Sequence, residues 1–389
     1  MSENGTRKAE RVWCDGCYDM VHFGHANQLR QAKLFGKKLI VGVHNDEEVS
    51  LHKGPPVFNE EERYRMVRGI KWVDEVVENA PYSTTIKTLD KYDCDFCVHG
   101  DDITLTADGH DTYEEVKKAG RYAECKRTVG VSTTDLVGRM LLLTKSHHSR
   151  DDSIDEHKER ARTMSTIQNQ EAESPWTRVS RFIPSTRTLL EFAEGRAPKS
   201  TDKIVYVTGA FDLFHIGHLA FLEEAAKLGD YLIVGILSDQ VVNSYKGGNH
   251  PIMNLHERVL SVLAYKPVSE VIIGAPYTIT DEMIKQFNIS VVVQGCRVPH
   301  HDDEDGVDPF IAAKRKGIYR TVDSKCDMTT ELIIRRIIEH RMEYIERNQK
   351  KERKELAAVE ALKKMQNGQG GKLDTTQAVV IDTSDGYKL

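Results

Sequence analysis

Gly16-Cys17-Tyr18-Asp19-Met20-Val21-His22-Phe23-Gly24-His25 and Gly209-Ala210-Phe211-Asp212-Leu213-Phe214-His215-Ile216-Gly217-His218 are two copies of one stretch, and their reading decides the fold. Each copy follows a strand-like run, Arg11-Val12-Trp13-Cys14 or Ile204-Val205-Tyr206-Val207-Thr208, and each leads into a helical pattern, over residues 26–33 or 219–227. A strand, a turn with Gly and then a helix sets backbone N–H groups and the positive helix end facing an anion. The two histidines of each copy are three residues apart, on one face of the helix's first turn. Paired imidazoles beside a helix N-terminus suit negative charge developing on phosphorus.

The likeness extends outward from this stretch. At one fixed offset Asp19 falls on Asp212, His22 on His215, His25 on His218 and Lys53 on Lys246. At an offset two residues larger, Glu62-Arg63 falls on Glu257-Arg258 and Ala80-Pro81-Tyr82 on Ala275-Pro276-Tyr277. A period this long is a domain duplication rather than a solenoid. In the first copy, strand runs at 39–44, 73–77 and 96–99 alternate with helical patterns at 60–69, 84–92 and 112–119. Short buried strands alternating with helices imply an α/β class, with two tandem Rossmann-like domains on parallel sheets. Ligands of such sheets sit at the carboxyl ends of the strands, beside the switch point, where both histidine pairs fall.

The expected domains are 1–144 and 203–340, with a linker at 145–202 and a charged helix and tail at 341–389. Ser, Thr, Arg, Glu and Gln dominate the linker, broken by Pro175, Pro184 and Pro198, with a short helix expected at 188–193. Residues 331–364 read as a long helix, almost wholly charged at 346–355, which suits solvent better than a membrane surface. Residues 366–389 read as a disordered tail.

Composition narrows the function. A net charge of −6 over 389 residues argues against a nucleic-acid binder held by phosphate attraction. The N-terminal residues 1–10 are polar and charged, and 7 Cys read as free thiols in a reducing cytosol. The longest apolar runs, such as Leu39-Ile40-Val41-Gly42-Val43, are strand-length, far short of the ~20 residues of a membrane span. Cys14-x-x-Cys17 and Cys94-x-x-Cys97 resemble zinc half-sites. Their counterparts in the repeat are Val207, Ala210, Ile289 and Val292, so buried strand thiols are the better reading and no protein metal site is expected. The histidines are spaced i, i+3 without a central Glu, unlike the i, i+4 pairs of zinc proteases.

On these residues the chain resembles the HUP-type nucleotidyltransferase superfamily, which includes cytidylyltransferases and class I aminoacyl-tRNA synthetases. Arg127-Thr128-Val129-Gly130-Val131-Ser132-Thr133-Thr134 is similar to the closing segment of the cytidylyltransferase branch, and no Lys-Met-Ser-Lys-Ser segment occurs. Read physically, its hydroxyls can cap the next helix and meet phosphate, while Arg127 offers a planar fork. Two such domains in one chain resemble the tandem cytidylyltransferases, and that resemblance implies transfer of CMP from CTP to phosphoethanolamine with release of pyrophosphate. Phosphocholine or glycerol 3-phosphate as acceptor, and a nucleotide-sensing protein without turnover, are the alternatives.

The resemblance implies catalytic roles for His22, His25, Lys53 and Arg127. It implies nucleotide contacts at Cys17, Tyr18, Asp19, Gly24, Thr128, Ser132 and Thr133, and acceptor contacts at Tyr82 and Asp101. Tyr82 falls where phosphocholine enzymes carry Trp, and a primary ammonium can use hydrogen bonds and a carboxylate where a quaternary one wants a strong aromatic face. In the second copy the expected nucleotide contacts are Ala210, Phe211, Asp212, His215, His218, Lys246, Gly295, Thr329 and Thr330. There Asp323 aligns with Arg127 and Arg297 with Asp102, so the first copy is expected to carry turnover. Mg²⁺ is expected with CTP, and a cytoplasmic location follows; a homodimer and peripheral association with the endoplasmic reticulum are left open.

Overall fold

The computed structural model describes residues 9–101, 106, 111–128, 131–141, 189–193, 195–248, 250–297, 306 and 308–348. The chain forms two compact units, one of residues 1–128 with 336–389 and one of residues 129–335.

In the first unit, β1 (Ala9–Gly16), β2 (Gly36–Val43), β3 (Glu75–Glu78), β4 (Phe96–Gly100) and β5 (Tyr122–Cys125) form one sheet in the order β3-β2-β1-β4-β5. Every pairing is parallel. Between the strands run α1 (Phe23–Phe35), α2 (Asp46–Lys53), α3 (Glu60–Arg68), α4 (Ile86–Lys91) and α5 (Glu114–Lys118). The connection after β1 leads outward to β2 and the later chain returns to β4, so the order reverses beside β1. A cleft opens at such a point, at the strands' carboxyl ends. Helices cover both faces, which is why Val12, Trp13, Leu39, Ile40 and Val41 lie wholly out of water.

The second unit holds α6 (Thr133–Leu141), β6 (Ile204–Gly209), α7 (Ile216–Ala226), β7 (Tyr231–Leu237), α8 (Asp239–Lys246), α9 (Leu255–Leu263), β8 (Glu270–Ala275), α10 (Asp281–Gln286), β9 (Ile289–Gly295), α11 (Ile311–Arg315) and β10 (Tyr319–Val322). Its parallel sheet runs β10-β9-β6-β7-β8, the same order as the first read from the other edge. Helix α12 (Thr330–Glu339) follows β10.

The departures of individual elements from expectation are local. The strand at 73–77 begins at Glu75, because Val73 N–H closes a turn onto the Ile70 carbonyl (3.2 Å). The helix at 112–119 shortens to Glu114–Lys118, since Asp111 Oδ1 accepts from Tyr113 N (2.9 Å) and holds a turn there. The short helix at 188–193 is present at residues 189–192. The long helix at 331–364 is interrupted by a turn at His340 and resumes over 341–348. Most of the linker, the rest of that helix and the tail at 366–389 lie outside the described residues.

Cys14, Cys17, Cys94 and Cys97 are buried free thiols. Cys14 Sγ donates to the Val98 carbonyl, and burial pushes the Cys14 and Cys97 thiols well up.

Candidate active site

Each histidine motif first serves its own helix. His22 is the N-cap of α1, and its Nδ1 accepts from Gly24 N (3.1 Å). His25 Nδ1 accepts in turn from His22 N (3.3 Å), closing a reciprocal capping box. The two rings stack with centroids 4.0 Å apart. A neutral imidazole whose Nδ1 accepts carries its proton on Nε2. Backbone geometry therefore sets both rings as Nε2–H donors at the carboxyl end of the sheet.

The turn before them is strained. Tyr18 and Met20 hold left-handed backbone angles (φ 51° and 49°), as do Phe211 and Leu213 (φ 49° and 48°). Side chains this bulky rarely adopt that region, which costs ~1–3 kcal/mol per residue unless surroundings enforce it. Asp19, between the two, supplies that enforcement. Its carboxylate accepts from Val57 N (3.0 and 3.1 Å) and Phe58 N (3.0 Å), and Arg347 Nη1 donates to it (3.1 Å). Asp212 repeats the brace on Ile252 N (2.7 Å) and Met253 N (2.9 Å). Arg63, fully buried, donates to the Cys17 carbonyl (2.6 Å), the Phe58 carbonyl (3.2 Å) and Asp46 (2.8 Å). Arg258 does likewise with Ala210 O, Met253 O, Leu237 O and Asp239. The match of Glu62-Arg63 with Glu257-Arg258 was visible in the repeat, but its purpose needed the fold: the Arg ties the motif turn to the lysine loop.

Lys53 ends α2, where Gly54 (φ 93°) turns the chain out of the helix. Its charge reaches His44 and Tyr82. Tyr82 is 5 % exposed, touches Cys17 and Val49, and stacks on His52 with centroids 3.9 Å apart. His44 tilts against it at 5.0 Å. Burial drives the His44 pKa down to about 4, so this ring is neutral. Burial also pushes Tyr82 up to about 12, so it stays a hydroxyl, and its Oη has no hydrogen-bond partner among the described residues.

Asp15, at the carboxyl end of β1, was not singled out by sequence. It is 1 % exposed and accepts from Thr84 Oγ1 (2.7 Å) and Tyr113 Oη (3.0 Å), while Trp13 Nε1 donates to Thr84 (3.0 Å). Its counterpart in the repeat is Thr208, so offset matching carried no signal for it.

Asp101 is exposed, and its Oδ1 accepts from Arg127 N (3.0 Å). Thr128 Oγ1 accepts from Asn27 Nδ2 (2.9 Å), tying the closing segment to the helix that bears the histidines. Gly24 is the first-turn donor to His22. Ser132 caps α6 by accepting from Asp135 N (3.1 Å); it and Thr133 belong to the second unit.

The second copy keeps the frame and changes the chemistry. His215 and His218 stack at 3.8 Å, and Gly217 N donates to His215 Nδ1 (3.1 Å). His215 Nε2 and His218 Nδ1 are buried without partners among the described residues. Burial and the Lys246 charge lower both, His218 to about 3. Lys246 Nζ pairs with Glu331 (2.9 Å). Thr330 Oγ1 donates to the Asp212 carbonyl (3.0 Å), and Thr329 Oγ1 accepts from Leu332 N (3.1 Å) to cap α12. The Met328 carbonyl lies 2.2 Å from where a Cβ on Gly217 would stand, so only Gly fits there. Beyond Gly295, Arg297 pairs with Asp323 (2.5 Å) and with Asp327. Asp323 is therefore a paired carboxylate rather than a bare one.

Comparison with known proteins agrees with this duplicated site. A family model described as cytidylyltransferase-like matches residues 13–139 and again 206–336. The chain is 56% identical over 388 residues to the ethanolamine-phosphate cytidylyltransferase of Mus musculus, covering 95% of this chain and 96% of that one. It is 51% identical over 360 residues to the enzyme of the same name from Dictyostelium discoideum, covering 92% and 99%. Choline-phosphate cytidylyltransferase 2 of Arabidopsis thaliana is 41% identical, over 36% of this chain and 51% of its own. With two copies of the motif braced alike and relatives matching end to end, the chain belongs to the cytidylyltransferase-like family, among its tandem-domain ethanolamine-phosphate members.

Proposed function

We propose that the first site transfers CMP from CTP to phosphoethanolamine, giving CDP-ethanolamine and pyrophosphate. The observation that carries this is the His22–His25 stack, in which both Nδ1 atoms accept from backbone N–H groups, so that each ring carries its proton on Nε2. A phosphate oxygen of the acceptor bonds to the α-phosphorus as the bond to the bridging oxygen breaks, and that electron pair leaves with pyrophosphate. The nucleophile is already anionic, so no proton need be removed from it and no general base is required. The Nε2–H donors neutralise charge growing on the α-phosphate and the leaving oxygen. Lys53 holds the two reacting phosphates together, which is the positioning such a displacement needs. Arg127, with Thr128 tied to Asn27, serves the triphosphate.

The acceptor's ammonium belongs at the Tyr82–Asp15 end, where a buried carboxylate balances the cation. Among the described residues no group of three or more His, Cys, Asp or Glu could hold a metal ion. Mg²⁺ would enter on the phosphates of CTP with its own waters, and no step runs through it. The second site keeps the frame but ties its lysine to Glu331; we assign it nucleotide binding and support of the first. Cytoplasmic location, peripheral contact with the endoplasmic reticulum and homodimerisation go with this reading as proposals, tested by fractionation and sedimentation. No helix among the described residues is long and apolar enough to cross a membrane.

The test is pyrophosphate release from CTP with phosphoethanolamine, phosphocholine and glycerol 3-phosphate in parallel. Preference for phosphoethanolamine supports the reading. CTP binding without release for any acceptor would favour a nucleotide sensor instead.

A further inference from the structure

A primary ammonium and a quaternary one differ in one respect that a protein can read directly: the first has N–H donors and the second has only a methylated surface. The residues at the acceptor end of the first site are arranged for the former. His52 lies in the last turn of α2, immediately before Lys53, with its Nε2 3.4 Å from Glu48 Oε2 one turn back. That contact aims the ring at Tyr82. The two rings stand 3.9 Å apart and 16° from parallel, so one face of the Tyr82 π system is covered by imidazole. His44 also lies against the Tyr82 ring, tilted 44° with centroids 5.0 Å apart, and the Tyr82 hydroxyl oxygen is buried and unpartnered among the described residues. An orphaned buried acceptor is costly until a donor arrives, typically by an amount large enough to discriminate strongly between ligands with and without that donor. The negative charge of Asp15 reaches both Tyr82 and His44 and favours a cation beside them.

We propose that His52 is a specificity-determining residue: by covering the Tyr82 ring face it leaves the Tyr82 hydroxyl as the acceptor-site contact, which takes an N–H of a primary ammonium and gives a trimethylammonium nothing. A quaternary ammonium is held by aromatic faces, and here that face is occupied. The second copy carries Tyr245 and Tyr277 at the matching positions, tilted at 5.6 Å, so the imidazole cover is a property of the first site. This inference rests on the first site being the one that turns over.

The experiment measures kcat/KM of the full chain for phosphoethanolamine, its N-methyl and N,N-dimethyl forms, and phosphocholine, in wild type, His52→Ala, His52→Gln and Tyr82→Phe. Each variant is scored by the ratio between acceptors within one preparation, so loss of folded protein cancels. His52→Ala and His52→Gln should raise the phosphocholine to phosphoethanolamine ratio about tenfold or more by uncovering the ring. Tyr82→Phe should lower phosphoethanolamine use about tenfold or more, with the loss shrinking as methyl groups replace N–H groups. Unchanged ratios in the His52 variants, or loss of turnover with every acceptor in both of them, would overturn the proposal. Failure of the underlying site assignment shows separately, as His22→Ala protein that still turns over phosphoethanolamine.

Discussion

Arg347 reaches back along the chain to Asp19: its Nη1 lies 3.1 Å from Asp19 Oδ2 and donates to the Pro55 carbonyl at 2.6 Å. One residue thus grips both the brace of the histidine turn and the loop that follows Lys53. Tyr344, one turn earlier, donates its hydroxyl to the Pro56 carbonyl (3.1 Å), and Arg336 forms a fork onto Glu62 (2.8 and 2.9 Å). Arg347→Ala should lower kcat and reduce stability by about 1–3 kcal/mol, since Asp19 keeps its amide donors but loses its counter-charge. Arg347→Lys should recover part of the loss, because an ammonium serves one of the two acceptors well and not both. Unaltered kcat and melting temperature in Arg347→Ala would show the grip to be idle.

The histidines give the sharpest kinetic expectation. His22→Ala or His25→Ala should cut kcat by ~10²–10³-fold with little change in KM for CTP, as a donor used mainly in the transition state would. His215→Ala should leave most turnover in place. Turnover abolished by His215→Ala and spared by His22→Ala would reverse the assignment of the two sites, and loss in both would make them a coupled unit.

The Lys246–Glu331 pair predicts a hidden capacity in the second unit. Glu331 is 60% exposed, so the pair itself adds little stability. Its carboxylate nonetheless sits where a triphosphate would need the lysine. Glu331→Gln should tighten one of two CTP-binding events severalfold by calorimetry while leaving the melting temperature nearly unchanged. Superimposable isotherms would show that the pair does not compete with nucleotide.

Acid should unfold the chain early. His44 is held to about 4 by burial, below its usual 6.5. Between those values the unfolded chain binds a proton that the folded chain does not, so stability falls as pH drops through this window. Each unit of difference is worth ~1.4 kcal/mol. The melting temperature of wild type should decline from pH 6.5 towards 4, and His44→Gln should flatten part of that decline. Equal slopes in the two proteins would place the cause elsewhere, with His215 and His218 next to examine.

The two sheets and their helices were legible because parallel strands buried on both faces read as unbroken apolar runs, and because each run recurs in the repeat. The histidines, the lysines and the aromatic at Tyr82 were legible for the same reason, each having a counterpart. What escaped was whatever differs between copies or acts across long spans of chain. Asp15 faces Thr208 in the repeat, and His52 faces Tyr245, so matching passed over both. The closing segment is also held differently, with Asp101 accepting from the Arg127 backbone N–H in one copy and the Arg297 guanidinium pairing with the Asp323 carboxylate in the other. Arg347 lies far along the chain from Asp19, and no periodicity connects them.

The histidine proposed to donate to the substrate also starts its helix. Because His215 caps α7 through Gly217 as His22 caps α1 through Gly24, deleting either ring removes a helix N-cap as well as an imidazole. A duplicated half could therefore abandon turnover and still be obliged to spell the same motif, for its folding alone. In such a protein the signature testifies to architecture first, and the groups that face it, such as the Glu331 carboxylate paired with Lys246, are what set one copy apart from the other.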